Sequence, residues 1–187
     1  HGSRREKNFH HLALKTETFY TFGVQFPEIR KNRANLEVLM EKRLFLIDGH
    51  ALIFKMYYAF LRHPMINSKG ADMSILFGFT KYILELIERE KPTHLAVAFD
   101  PPGGTFRHEM YSEYKGTRDE TPQLVIDALE PLTELCKAMK IPVLMIRGYE
   151  ADDVIGSMAK RAEKEGFEVF MVTPDKDYGQ LISDHII

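Results

Sequence analysis

The sequence lacks a second cysteine, a long hydrophobic run and a secretory signal. Cys136 is the single cysteine among 187 residues, which excludes an internal disulfide and a Cys-rich zinc site. Apolar runs such as residues 44–47 and 95–99 are far shorter than the roughly 18 residues that a transmembrane helix needs. No apolar segment is followed by a small-residue cleavage site. These absences favour a reducing, cytoplasmic setting.

Charge is distributed unevenly along the chain. The whole chain contains 25 Lys and Arg and 27 Asp and Glu residues. Residues 1–43 contain nine basic and five acidic residues, whereas residues 44–187 contain sixteen basic and twenty-two acidic residues. The acidic excess of the second segment by itself disfavours a nucleic-acid partner, because phosphate binding needs Lys and Arg.

The sequence pattern changes near residue 40. Residues 1–40 are polar and basic and show neither alternation nor a helical stripe, so we predict a poorly ordered leader from a tag or upstream sequence. Residues 41–187 form the predicted domain. The chain ends inside what looks like a new strand at residues 186–187, so we expect the domain to be truncated at its C-terminal end.

Short apolar runs alternate with amphipathic helical patterns along residues 42–187. The predicted buried strands are residues 44–47, 94–99, 143–146 and 167–172, and the predicted helical stripes are residues 76–87, 124–139 and 154–162. We expect Thr121-Pro122 to begin the second helix, Pro131 to kink it and Gly166 to end the third. This alternation predicts an α/β fold with a parallel sheet, right-handed crossovers and helices on both faces.

Acidic residues follow all four predicted strands. They are Asp48, Asp100, Glu150, Asp152, Asp153, Asp175 and Asp177. Because parallel strands end at one edge of a sheet, we expect these seven carboxylates to meet in one crevice, where open α/β sheets bind ligands. Without them, residues 44–187 contain fifteen acidic and sixteen basic residues, so the acidity of this segment belongs to the predicted site.

Seven carboxylates in one crevice repel one another unless cations neutralise them. The eight histidines, His50 among them, show no ligand spacing, and oxygen ligands alone favour Mg²⁺ or Mn²⁺ over Zn²⁺. Two such ions about 3.5–4 Å apart would clamp a phosphodiester, activate water and stabilise the leaving oxygen. The sequence therefore predicts phosphodiester hydrolysis, and bound metals would let the acidic crevice accept a phosphate backbone.

Each acidic group also has a purely structural interpretation. Asp48 or Asp100 alone is more typical of a helix N-cap. Asp152 and Asp153 could complement a helix dipole, and residues 175–177 could form a solvated turn. Four such coincidences at one sheet edge favour the metal site.

The combined motifs resemble a known family. They are residues 46–50 (LIDGH), Phe99-Asp100, Phe106-Arg107, residues 114–118 (YKGTR), residues 148–153 (GYEADD), and residues 175–177 (DKD) with Gln180-Leu181. Together they resemble the 5′-nuclease domain at the N-terminus of bacterial DNA polymerase I, a PIN-like member of the flap endonuclease superfamily. The resemblance extends from about Lys42 to the last residue.

This resemblance implies a metal-dependent 5′-3′ exonuclease or structure-specific 5′-flap endonuclease. Its substrates would be DNA with 5′ flaps, nicks or single-stranded 5′ ends, processed during replication and repair. The implied ligands of the first Mg²⁺ or Mn²⁺ ion are Asp48, Asp100, Glu150, Asp152 and Asp153. Asp175 and Asp177 would extend toward a second ion, so the complete domain is expected to hold two.

Residues 101–121 resemble the base of a helical arch through which a 5′ end passes. The DNA-contacting residues implied there are Arg107, Tyr114 or Tyr111, Lys115 and Arg118. The cations would contact phosphates near the scissile bond, and Lys115 and Arg118 would serve catalysis, while a tyrosine would stack on a base. Lys55 stands where the family usually has Arg, which keeps the charge but loses bidentate phosphate binding.

The family also implies a setting for the domain. We expect a monomer in the bacterial cytoplasm, associated with the nucleoid and followed by further nuclease residues and polymerase domains. An Asp pair that completes the second metal site and a helix-hairpin-helix-like duplex-binding element lie further along the chain in this family. We therefore expect weak or absent activity from residues 1–187 alone.

Two other functions stay open. A PIN-type ribonuclease would share the acidic site without needing the arch pattern. An inactive DNA- or metal-binding fragment would follow from the missing second metal site and duplex-binding element. A haloacid-dehalogenase-like phosphatase is disfavoured, because Asp48-Gly49-His50 lacks the second Asp of that family's motif.

Overall fold

The sheet is formed by β1 (Arg43–Asp48), β2 (His94–Ala98), β3 (Val143–Leu144) and β4 (Glu168–Val172). These strands come from a computed structural model, which describes residues 42–103 and 120–187. They are all parallel and lie in the spatial order β3-β2-β1-β4. Parallel pairing puts the carboxyl ends of the strands at one edge, which we call the carboxyl edge. The predicted parallel α/β architecture is confirmed.

The helices of the described residues are α1 (Gly49–Phe60), α2 (Ser74–Glu90), α3 (Gln123–Ala138) and α4 (Ala151–Lys164), followed by a 3₁₀ helix (Lys176–Leu181). Helix α2 buries Phe79 and Ile83, which stand four residues apart on one helical face. It ends where Lys91 adopts a left-handed conformation, with φ of 48°, ahead of Pro92. None of these helices is long and apolar enough to cross a membrane.

The structure corrects the predicted beginning of α3 and the predicted end of β3. Pro122, with ψ of 138°, is the N-cap of α3 and makes no side-chain capping bond, so the prediction that Pro122 is the first helical residue is wrong by one position. Helix α3 continues through Pro131. Strand β3 ends two residues early because the Tyr149 N–H donates to the Ile146 carbonyl at 3.1 Å and turns the chain. Gly166, with φ of 79°, ends α4 as predicted.

Alternate side chains of β1 pack into two separate cores. Phe45 and Ile47 pack with α1, α2 and α3, on what we call the three-helix face. Leu44 and Leu46 pack with α4, on what we call the α4 face. A period of two residues is what a strand buried on both sides requires. Helices therefore cover both faces of the sheet, as the sequence predicts.

The last described residues run beside β4. Val169 pairs in parallel with Ile186. The Ile187 N–H donates to the Val169 carbonyl at 2.8 Å, and the Met171 N–H donates to the Ile187 carbonyl at 2.8 Å. These bonds agree with the expected beginning of a strand at residues 186–187.

Candidate metal centre at the carboxyl edge

Asp48 ends β1 and is also the N-cap of α1. Its Oδ1 accepts the Ala51 N–H at 3.0 Å, and its Oδ2 accepts the Thr173 hydroxyl at 3.1 Å. Burial raises the pKa of Asp48 and the charge of Asp100 adds to the rise, whereas the bonds from Ala51 and Thr173 oppose it. Asp48 is thus both a cap and a partly desolvated carboxylate facing a second acid.

Asp100 follows β2 and contacts the beginning of α4. Its Oδ1 accepts the Ala151 N–H at 2.6 Å, which satisfies a free donor of that helix. Its own N–H donates to His50 Nδ1 at 3.0 Å. His50 Nδ1 also lies 3.9 Å from Asp100 Oδ2. His50 therefore contacts both the backbone and the carboxylate of Asp100.

Glu150, Asp152 and Asp153 surround the N-terminus of α4. Glu150, which is only 4% exposed, caps the helix by accepting the Asp153 N–H. Asp153 Oδ2 accepts the Glu150 N–H at 3.3 Å and completes a capping box. Asp152 is exposed, and its Oδ1 accepts the Asp153 N–H at 2.7 Å. The helix dipole favours all three negative charges, so the structural interpretation describes these residues well.

Asp175 is the N-cap of the 3₁₀ helix and connects to Asp48 through one threonine. Asp175 Oδ1 accepts the N–H of the exposed Asp177 at 2.9 Å. The Asp175 N–H donates to Thr173 Oγ1 at 3.2 Å, and the Thr173 hydroxyl donates to Asp48. Residues that are far apart in sequence are thereby joined at the ends of β1 and β4.

A buried tyrosine stands among the carboxylates. Tyr178 is 5% exposed, and its hydroxyl oxygen has no hydrogen-bond partner among the described residues. Burial, and then the charges of Asp48, Asp152, Asp175 and Asp100, raise the pKa of Tyr178 far above its ordinary value. Tyr178 lies in the 3₁₀ helix capped by Asp175, at the carboxyl edge where acids follow β1, β2, β3 and β4, and we call this edge with its acids the acidic crevice.

The carboxylate oxygens do not converge on one position where an ion could bind. Within residues 42–103 and 120–187, no three Asp, Glu, His or Cys side chains stand close enough together to hold a metal ion. Asp48, Asp100 and Asp175 each accept a backbone N–H, and like charges keep carboxylates apart. The donor chemistry fits a hard divalent cation, because the acids of the crevice are oxygen ligands and one of them, Asp48, is partly desolvated. Side-chain rotation would be needed to bring the oxygens together.

The residues predicted to contact DNA fall into two groups. Lys55 is exposed on α1, and its Nζ lies 5.0 Å from the centre of the Tyr82 ring. The arch residues lie outside the described residues, as does the leader at residues 1–40; they are Arg107, Tyr111, Tyr114, Lys115 and Arg118. Their roles stay predictions.

Sequence reasoning missed three residues of the crevice. Thr173 and Tyr178 flank the Asp175–Asp177 motif, and their polar groups next to acids at a strand end were the available signal. His50 was set aside because it lacks metal-ligand spacing, and the structure shows that it contacts Asp100 through the backbone instead. Each of these contacts depends on tertiary structure that spacing alone does not reveal.

Sequence comparisons place these observations among known proteins. A family model for the 5′-3′ exonuclease N-terminal, resolvase-like domain matches residues 43–187. DNA polymerase I of Bacillus caldotenax is 43% identical over 148 residues, which are 79% of this chain and 16% of that protein. The 5′-3′ exonuclease of Aquifex aeolicus is 35% identical over 146 residues, which are 78% of this chain and 50% of that protein. The chain thus spans half or less of these two relatives.

Solved structures with the same fold come from bacteriophage T5. The zinc-bound T5 5′-exonuclease superposes with a TM-score of 0.63 at 24% identity, covering 77% of this chain and 53% of that one. A T5 flap endonuclease variant in a pseudo-enzyme–product complex with DNA and metal ions gives a TM-score of 0.61, also at 24% identity, covering 77% and 53% of the two chains. At this identity the likeness establishes the fold.

Proposed function

Since this chain belongs to the family of 5′-3′ exonuclease N-terminal, resolvase-like domains, we propose that it hydrolyses DNA phosphodiester bonds at or near 5′ ends. The proposed substrates are 5′ flaps, nicks and single-stranded 5′ ends, processed by a monomer in the bacterial cytoplasm during replication and repair. A polymerase domain following the nuclease, as in DNA polymerase I, belongs to the same proposal. The observation that carries it is the acidic crevice, where acids follow all four parallel strands at one edge of the sheet.

Seven carboxylates are proposed to hold divalent cations. They are Asp48, Asp100, Glu150, Asp152, Asp153, Asp175 and Asp177. Mg²⁺ or Mn²⁺, with two ions in the complete domain, would supply activation of water and stabilisation of the leaving oxygen. A bound cation would also offset the desolvation of Asp48 and its repulsion from Asp100, both of which oppose ionisation in the metal-free protein.

The chain's own hydrogen bonds hold these acids at the edge of the sheet. The Ala51 N–H fixes Asp48 at the beginning of α1, and the Ala151 N–H fixes Asp100 beside the N-terminus of α4. The capping box of Glu150 secures the same helix end. These bonds keep the acids at one edge of the sheet, from which their side chains would turn toward a bound cation.

Contacts to the DNA are proposed for five residues: Lys55, Arg107, Tyr114, Lys115 and Arg118. Lys55 is exposed on α1, with its Nζ 5.0 Å from the centre of the Tyr82 ring. Cations next to a metal-loaded crevice would attract the phosphate backbone and fix the position of the strand. A tyrosine would stack on a base without selecting a sequence.

Cleavage of a 5′-labelled flap DNA in Mg²⁺ or Mn²⁺ tests the proposed function. The 187-residue chain is compared with a chain extended into the further nuclease residues, and the extended chain is expected to be much the more active. In the extended chain, Asp100→Asn should lower the cleavage rate about 100-fold or more. Asn keeps an oxygen for the Ala151 N–H, so this change removes the charge without removing the cap.

Asp127→Asn is the matched control, because Asp127 is exposed on α3 and accepts a bond from Gln123 at 2.7 Å, away from the crevice. It should cut at the parental rate. Unchanged cleavage by Asp100→Asn would refute the crevice as the active site. Preference for an RNA flap over the DNA flap would instead support the PIN-type ribonuclease.

A further inference from the structure

Tyr178 is buried in a place where its ring alone would be enough for packing. The ring belongs to the α4-face core, together with Leu46 and Val154. Its 3₁₀ helix packs against α4. A phenylalanine would fill the same apolar space and would bring no polar group into it.

The hydroxyl of Tyr178 therefore destabilises the metal-free fold. Its oxygen is buried and has no hydrogen-bond partner among the described residues. Buried hydroxyls in native proteins are normally paired, since an unpaired one loses its bonds to water without replacing them. A state of the protein in which this hydroxyl gains a partner would remove that cost.

The surroundings of this hydroxyl indicate what that state is. Tyr178 directly follows Asp177 in a 3₁₀ helix capped by Asp175, and its ring shares a core with Ala151, whose N–H binds Asp100. A phenol has one O–H to donate, and a carboxylate is a strong acceptor for it. In the metal-free structure the oxygens of Asp48 accept bonds from Ala51 and Thr173 instead.

We propose that Tyr178 is a positioning residue of the acidic crevice: when the carboxylates turn toward a divalent cation, its hydroxyl donates a hydrogen bond to one of them and fixes its orientation. This inference rests on the proposed function, since it needs the crevice to bind metal. It adds a residue that neither carries negative charge nor holds the ion. Groups that orient metal ligands in this way commonly change affinity by about 10- to 100-fold when they are removed.

Tyr178→Phe separates a positioning role from a structural one, because the two predict opposite results. Affinity for Mn²⁺ is measured on the 187-residue chain by the electron paramagnetic resonance signal of free Mn²⁺. The dissociation constant should rise about tenfold or more. Thermal unfolding in EDTA should show an unchanged or higher midpoint, because the change removes an unpaired buried hydroxyl.

Two further variants serve as controls for the Mn²⁺ affinity of Tyr178→Phe. Tyr82→Phe is the matched control, because Tyr82 packs on the three-helix face and burial alone raises its pKa. It should leave Mn²⁺ affinity unchanged. Asp48→Asn tests the crevice itself and should weaken Mn²⁺ binding while keeping the cap of α1.

Each outcome decides the matter. Weaker Mn²⁺ binding by Tyr178→Phe without loss of stability in EDTA supports the positioning role. Parental affinity in Tyr178→Phe, combined with weak binding by Asp48→Asn, overturns the role of Tyr178 and leaves the proposed function standing. Parental affinity in both variants overturns the metal crevice and the role of Tyr178 together. A midpoint in EDTA lower than that of Tyr82→Phe shows a structural hydroxyl and also overturns the inference.

Discussion

The two faces of the sheet are built from side chains of different size. On the three-helix face, large rings fill the core, and Phe79 and Phe99 stack with their centroids 6.3 Å apart. On the α4 face the core contains many alanines, which are Ala96, Ala98, Ala151, Ala159 and Ala162. Small side chains let a helix approach its sheet closely.

The two faces should therefore contribute differently to stability and to the acidic crevice. The three-helix face buries most of the large apolar side chains and should supply most of the hydrophobic stabilisation. The α4 face brings the N-terminus of α4 up to the carboxyl edge, where the Ala151 N–H meets Asp100. Glu150 and Tyr178, which are both buried, are also on this side. Changes on the first face should mainly alter folding, and changes on the second should mainly alter the crevice.

The largest effect is expected from emptying the three-helix core. Phe79→Ala removes a side chain with no exposed surface and should lower the free energy of unfolding by about 3–5 kcal/mol, measured by urea denaturation. Phe77→Ala on the same helix is the control, because Phe77 is 46% exposed, and it should cost far less. Equal losses in the two variants would contradict the assignment of the core to this face.

Two glycines test how closely each face is packed. A Cβ at Gly49 would lie 2.3 Å from Phe99 Cε1 and 2.8 Å from the Ala98 carbonyl, so Gly49→Ala should cost about 1–3 kcal/mol of unfolding free energy. A Cβ at Gly156 in α4 would meet only Leu181 Cδ1, at 3.1 Å. Gly156→Ala should be near neutral or stabilising by up to about 1 kcal/mol, because alanine favours the helix. A larger loss from Gly156→Ala, measured in the same urea titration, would reverse this ranking.

A smaller effect concerns the single thiol, which lies in the three-helix core. Burial raises the pKa of Cys136 to about 11. Above pH 9, which is the ordinary pKa of a thiol, the unfolded chain loses this proton while the folded protein keeps it. The thiol's contribution to the free energy of unfolding is therefore complete below pH 9 and is lost as the pH rises through about 11. At about pH 10 the free energy of unfolding should be about 1.4 kcal/mol lower than at neutral pH because of this thiol. Urea titrations of the parent and of Cys136→Ala at both pH values measure the difference, and equal pH dependence would contradict it.

Strand and helix periodicity made much of the fold predictable. β1, β2, β4 and α2 have clear patterns, and the structure places each within a few residues of its predicted position. Helix α1 was not among the predicted helices, because the apolar run at residues 51–54 obscures the helical period. β3 was predicted too long, since a sequence does not show that an edge strand has one partner and turns away early.

The candidate site was predictable in part. Acids after parallel strands must share the carboxyl edge, and this placed Asp48 and Asp100 close together. Their hydrogen bonds were not predictable, because they connect residues such as Asp48 and Thr173 that only the folded sheet brings into contact. The unpaired hydroxyl of Tyr178 was hidden for the same reason.

The stabilisation of the protein by Mg²⁺ tests the central claim most directly. Unfolding of the 187-residue chain, Asp48→Asn and Asp127→Asn is followed by urea titration in EDTA and in Mg²⁺. At about 100 times its dissociation constant, an ion that binds only the folded state raises the free energy of unfolding by about 2.7 kcal/mol. We predict this gain for the parent and for Asp127→Asn, and little or none for Asp48→Asn, whose stability in EDTA should not fall. The same gain in all three proteins, or in none, would contradict a divalent cation site built from the acids of the carboxyl edge.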